Sequence, residues 1–186
     1  MIGLNRGVRN VVSRIPKDSV GVEIGVWRGD SSELFLRRAR HMHLVDAWSI
    51  DVFRESAEFD GFQNYLDRYS ETVGSSHESD FELYYESVYQ SVRKRFVDRP
   101  VTIHRGPSEQ FFDRFNSTVD WVYIDGSHSF DGCLADLFGA KKIATYAIFG
   151  DDYRGKRDVT AAVREFVKRT KLVFLDLGNH QYEIRL

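Results

Sequence analysis

Short apolar runs alternate with amphipathic stretches along most of the chain. Apolar runs at residues 20–25, 43–46, 101–104, 120–125 and 146–149 have the length and β-branched content of buried strands. Between them, residues 31–40, 108–115 and 132–143 place apolar side chains at helical spacing, with Leu34, Phe35 and Leu36 on an inner side. Strands that alternate with helices predict βαβ units and a parallel sheet. The end of the chain changes character. A helix over 160–169, with Val163, Phe166 and Val167 at core spacing, precedes extended runs at 171–177 and 181–186. The segment Gly178-Asn179-His180 between them has hairpin-turn chemistry. The expected fold is α/β: a doubly wound, Rossmann-like sheet of seven strands, mostly parallel, with an antiparallel last strand.

Residues 48–100 interrupt this rhythm and are too long for an ordinary connection. The first part is acidic and aromatic (Trp48, Phe53, Phe59, Phe62, Tyr65, Tyr69), and residues 72–77 form a polar break. Ser79 and Glu82 then make a capping-box pattern, followed by Phe81, Tyr85, Val88, Val92 and Phe96 at helical spacing. The segment reads as an insertion or lid, mobile at first, with one helix over about 79–97. Its aromatics serve as core, as a substrate wall or as a dimer face, core being the first expectation. No internal repeat or linker divides the chain, so residues 1–186 read as a single domain.

Composition narrows the function classes. The 186 residues suit one domain with a full core. Apolar residues make up 42% and charged residues 29%, which excludes disorder as the main state. Lys and Arg number 26 against 28 Asp and Glu, so the chain lacks the basic footprint of a dedicated nucleic-acid binder. No apolar run is long enough to span a bilayer, and the N-terminus has no continuous apolar stretch of the signal-peptide kind. The single cysteine, Cys133, lies in an apolar helical stretch and cannot form an internal disulfide. These features set the expectations of a cytoplasmic protein with neither a membrane nor a nucleic acid as partner.

Three groups of residues carry candidate chemistry. The first is Glu23-Ile24-Gly25-Val26-Trp27-Arg28-Gly29-Asp30-Ser31, at a strand end just before a helix. Its glycines permit a sharp turn and close approach to a ligand, and the helix start favours a negative group. The spacing Glu-x-Gly-x-x-x-Gly is not the Gly-x-Gly-x-x-Gly of dinucleotide enzymes, and it also suits a plain turn. The second is Asp46, which closes the next strand 21 residues after Gly25. A carboxylate there can accept hydrogen bonds from both ribose hydroxyls. It can equally be a solvated strand-end acid, but with the glycine turn it points to an adenosine ligand. Trp48 can pack on ribose or adenine, or belong to the core of the insert. Gly106-Pro107-Ser108 falls where an adenine edge would lie, and Ser108 can also be a helix N-cap. The third group is Asp125, Asp151 and Asp152, at the tips of neighbouring strands. Carboxylates so placed repel unless something positive neutralises them, and all-oxygen ligation suits Mg²⁺. His128, three residues after Asp125, is a candidate base near neutrality. His41 and His43 have the spacing of a metal pair but read as surface residues.

Taken in order, these motifs resemble a class I S-adenosylmethionine-dependent methyltransferase, and more narrowly the small O-methyltransferases related to the macrocin and mycinamicin sugar enzymes. The resemblance rests on residues 22–29 (VEIGVWRG), 44–48 (LVDAW), 120–130 (DWVYIDGSHSF), 150–153 (GDDY) and 162–166 (AVREF). It implies that Glu23, Gly25, Trp27 and Gly29 cradle the methionine and ribose portion of S-adenosylmethionine. Asp46, Trp48, Ser108 and Asp125 would complete the cofactor site. Asp125, Asp151 and Asp152 fall on the family's divalent-metal positions, and His128 and Asp125 on catalytic ones. His128 stands where catechol-type relatives place a lysine. The chain departs from the family at 144–146, where Ala-Thr-Tyr replaces a Gly-Gly turn. The implied partner is a small-molecule hydroxyl acceptor, such as a sugar, with recognition expected from the insert, the 154–157 loop and a second subunit where the chain forms a homo-oligomer. Two alternatives stand beside this reading: a protein that binds S-adenosylmethionine without turnover, and a nucleotide-dependent oxidoreductase.

Overall fold

The computed structural model describes residues 6–54 and 61–186; Phe59 lies outside the described residues. Seven strands form one sheet: β1 (Ser19–Ile24), β2 (Ala39–Asp46), β3 (Val101–Arg105), β4 (Val119–Ile124), β5 (Ala144–Gly150), β6 (Val173–Gly178) and β7 (Gln181–Arg185). Their order is β3-β2-β1-β4-β5-β7-β6. The first five are parallel, and β7 runs antiparallel to both β5 and β6. The expected seven-stranded sheet with an antiparallel last strand is present. Asn179 and His180 turn the final hairpin with φ of 51° and 67°, the twist that suits right-handed strands.

The described residues form the helices α1 (Arg6–Arg14), α2 (Asp30–Phe35), α3 (Phe62–Val73), α4 (Glu78–Arg95), α5 (Ser108–Arg114), α6 (Phe130–Ile143) and α7 (Arg157–Thr170), and all but α3 lie against the sheet. One face carries α5, α6 and α7 over a core that includes Val122, Ile148, Leu137 and Phe166. The other carries α1, α2 and α4 over Val11, Phe35, Met42 and Trp121. Helix α1 docks on the antiparallel end, where Arg14 Nη1 lies 2.6 Å from the buried Glu183 carboxylate and Asn10 Nδ2 donates to Leu177 O at 3.1 Å.

The structure differs from the pattern-based reading in two places. Helix α2 ends at Phe35 and β2 begins at Ala39, so the helix is shorter and the strand longer than expected. In the insert, a 3₁₀ turn (Ile50–Phe53) and helix α3 occupy the part read as mobile, so α4 is the second helix. Tyr65 and Leu66 of α3 pack with Ile50 and Phe81 in a small separate core, which supplies the burial that makes α3 worth forming. Gly74, at φ 85°, ends α3 inside the polar break. The Ser79–Glu82 capping box does not form; His77 is the N-cap, and Ser79 sits inside the first turn of α4.

Candidate functional site at the carboxyl ends of the strands

The tips of β1, β2, β4 and β5 face one crevice, as parallel connectivity requires. Gly25 leaves β1 at φ 84°, and a Cβ there would lie 2.0 Å from the Asp125 carbonyl oxygen. Only glycine allows the loops after β1 and β4 to approach so closely. Gly29 caps α2 at φ 78°, and a Cβ there would meet the Phe96 ring at 2.6 Å. The glycine turn is therefore wedged between β4 and the end of α4.

Polar contacts fix the same turn. Glu23 is completely buried and accepts hydrogen bonds from the Ser31 and Ser32 hydroxyls at the start of α2. Burial raises its pKa to about 7 against those two bonds. Glu23 thus holds the turn from behind. Asp46 accepts from Trp27 N–H at 2.8 Å and from Trp48 N–H at 2.9 Å, one on each oxygen, so it joins the loops after β1 and β2. Burial still raises its pKa. Trp48 is a core residue: it is 1% exposed, and its indole N–H donates to Trp27 O at 2.7 Å. Trp27 is 46% exposed at the rim.

Helix α4 closes this side. Arg95 Nη1 donates to Arg28 O at 2.8 Å and to Asp30 Oδ1 at 2.7 Å, and Arg28 Nη2 donates to Tyr84 Oη at 2.8 Å. Tyr85 shares a hydroxyl–hydroxyl bond with Tyr65. Burial is the main cause that pushes the Tyr85 pKa to about 12, and the Asp46 charge adds to it.

Asp125, His128 and Asp152 come together on the other side of the crevice. Each offers one ligand atom, and all three atoms lie within 4.8 Å of one another. His128 Nε2 is 2.9 Å from Asp152 Oδ2, and this bond holds Asp152 below the usual carboxylate range. Burial, then Asp151 and Asp152, push Asp125 well above it. Asp151 takes a different place. It accepts from Asp152 N–H at 2.7 Å, which lowers its pKa against the larger effect of burial. It is not part of the three-residue cluster, and His128 is. The chain leaves β5 at Gly150 and turns through a left-handed φ of 64° at Asp152, where the two neighbouring carboxylates part.

Ser108 opens α5, whose N-cap is Pro107, and its side chain bonds to the buried Asp136. Burial lifts Asp136 to about 6. Sequence reasoning passed over Asp136, although a carboxylate on an otherwise apolar helix face was a visible signal. His41 and His43 lie on β2, where His43 Nδ1 meets His104 Nε2 at 3.1 Å, away from the crevice. Burial and the His104 and His41 charges push His43 down to about 4.

Residues 22–153 match a family described as Methyltransferase domain, more than half of the chain. The chain belongs to this methyltransferase family. Among curated proteins, none matches the sequence. Several solved structures resemble the methyltransferase in fold. The O-methyltransferase NovP is 18% identical, with a TM-score of 0.61 over 97% of this chain and 76% of that one. An rRNA methylase from Streptococcus thermophilus is 10% identical, with a TM-score of 0.56 over 100% and 96%. Aeropyrum pernix fibrillarin, solved with S-adenosyl-L-methionine bound, is also 10% identical, with a TM-score of 0.56 over 100% and 70%. At these identities the likeness is one of fold. It is the crevice of this methyltransferase, with a braced glycine turn on one side and the acid cluster on the other, that bears on its chemistry.

Proposed function

We propose that this methyltransferase transfers the methyl group of S-adenosylmethionine to a hydroxyl of a sugar or another small polar molecule, with help from a divalent cation. The observation that carries the reading is the Asp125–His128–Asp152 cluster across the crevice from Asp46 and the glycine turn. The macrocin-like sequence pattern favours the same class, as does the NovP fold likeness. A crevice on a chain with net charge −2 fits a small acceptor better than a polyanion.

Asp46 would hold the ribose hydroxyls with the lone pairs left by its two backbone donors. Gly25 and Gly29 would let the cofactor lie against the backbone, beside Trp27. The donor set fits a cation: two carboxylates and one imidazole converge, and burial together with the neighbouring carboxylates raises the Asp125 pKa, a cost that a bound positive charge would offset. An imidazole donor makes Mn²⁺ as suitable as Mg²⁺. A bound cation would lower the pKa of an acceptor hydroxyl. In the transfer, the acceptor oxygen bonds to the methyl carbon as the carbon–sulfur bond breaks and its electron pair stays on sulfur. The hydroxyl proton would pass to the carboxylate oxygen of Asp125 that does not hold the cation. Within this reading His128 serves first as a ligand, with its Nε2 facing into the cluster beside Asp152. Alignment in a dry, charged crevice would supply much of the rate gain.

The test is calorimetric titration with S-adenosylmethionine, with and without Mg²⁺ or Mn²⁺, using Asp46→Ala as control. Micromolar binding lost in the variant supports the reading, and no binding under any condition removes it. Methylation of a hydroxyl panel that survives chelator and Asp125→Ala would remove the cation from it.

A further inference from the structure

Tyr182 on β7 is fully buried, yet its hydroxyl has no hydrogen-bond partner. Strand pairing sets it opposite Gly150, and a Cβ at Gly150 would lie 2.3 Å from the Tyr182 oxygen. The ring is thus seated over a glycine that immediately precedes Asp151 and Asp152. The hydroxyl lines a small cavity together with Asp125, His128, Cys133, Asp151 and Asp152, beneath the acid cluster. That cavity has room for about one water molecule. A buried hydroxyl without a partner is costly, and a phenylalanine would fill the same space without that cost. The Cys133 thiol and the carboxyls of Asp136, Asp125 and Asp151 are near enough to act on it electrostatically, and Cys133, Asp125 and Asp151 share its cavity. Toward an ionised carboxylate, such as one that holds a cation, the tyrosine O–H can only donate.

We propose that Tyr182 is a positioning residue for the cation site: its hydroxyl, unpaired in the metal-free fold, donates a hydrogen bond to the Asp125 carboxylate when that carboxylate holds a divalent ion, and so fixes the angle at which it meets the ion. This rests on reading the cluster as a cation site. Groups that orient a ligand in this way typically change metal affinity 10- to 100-fold when removed.

The experiment is Mn²⁺ titration of the wild type and of Tyr182→Phe by calorimetry, with thermal melts of both metal-free proteins. The expected result is Mn²⁺ affinity about 10- to 100-fold weaker in the variant. Its metal-free melting temperature should be equal to that of the wild type or raised by roughly 2–6 °C, since an unpaired hydroxyl has gone. Equal Mn²⁺ affinity in the two proteins overturns the positioning role and leaves the cation reading standing. A wild type that binds no Mn²⁺ overturns both. A lowered melting temperature would show that the hydroxyl is already paired in the metal-free fold, and that also overturns the proposal.

Discussion

Replacing Glu23 by glutamine should make the chain relatively more stable as the pH rises. The carboxylate is completely buried, and burial lifts its pKa from 4.5 to about 7 in spite of the Ser31 and Ser32 hydroxyls. A carboxyl whose pKa is raised on folding binds more protons when folded than when unfolded. Its contribution is therefore present below pH 4.5 and is lost as the pH climbs through about 7. At about 1.4 kcal/mol per pH unit, the full loss is about 3 kcal/mol. Between pH 5 and pH 8 most of it is expressed, about 2–3 kcal/mol. Glutamine keeps the shape and does not titrate. Urea unfolding of both proteins at pH 5 and pH 8 isolates the effect, because the other carboxyls cancel in the difference. With a slope near 2 kcal/mol per molar urea, the variant's midpoint should gain about 1 M on the wild type between the two pH values. A stability difference that is the same at both would refute the argument that Glu23 is held behind the glycine turn at the expense of its charge.

Other substitutions test the same framework. Gly29→Ala forces a side chain into φ 78° and against the Phe96 ring, so it should lower stability by about 1–3 kcal/mol in thermal melts and weaken S-adenosylmethionine binding. An unchanged melting temperature would show that the contact is not as close as described. Arg95→Ala removes a half-exposed ion pair worth at most about 1 kcal/mol. It should therefore raise the S-adenosylmethionine Kd several-fold with little change in melting temperature. Cys133 is 2% exposed and burial pushes its thiol up to about 12, so a thiol reagent should label it only at the rate of unfolding. Fast labelling of the native protein would contradict that packing.

The centre of the sheet was readable because β4 and the second half of β5 are covered on both faces and so appear as near-continuous apolar runs, as in Trp121-Val122-Tyr123-Ile124. Helix α3 was not, because it buries only Tyr65 and Leu66, too narrow a stripe to stand out in an acidic, aromatic segment. Helix α1 likewise passed unnoticed, although Val8, Val11 and Ile15 lie at helical spacing and are buried. Boundaries failed where tertiary contacts decided them. Arg38 bonds to the Ile15 carbonyl, and the stretch read as the end of a helix leads instead into β2. In the site, the glycine turn and Asp46 were visible because their chemistry lies in one short segment each. The sorting of Asp151 from Asp152, and the inclusion of His128, depend on the left-handed φ of 64° at Asp152, which no spacing rule reveals. Tyr182 was invisible as a site residue because the antiparallel hairpin brings it beside the acid cluster from the far end of the chain.

The grip of α4 on the glycine turn bears on how this scaffold could be re-engineered. A swap of acceptor-recognition segments between related enzymes would naturally take the whole insert as a cassette. Here the cassette has a dividing line inside it. Residues 61–77 contribute to a separate small core, whereas the distal half of α4 is bolted to Arg28, Asp30 and Gly29 through Arg95 and Phe96. A chimera joined within the polar break should keep the native turn and inherit a new roof. One joined after Phe96 would import a helix whose bolts no longer match their holes.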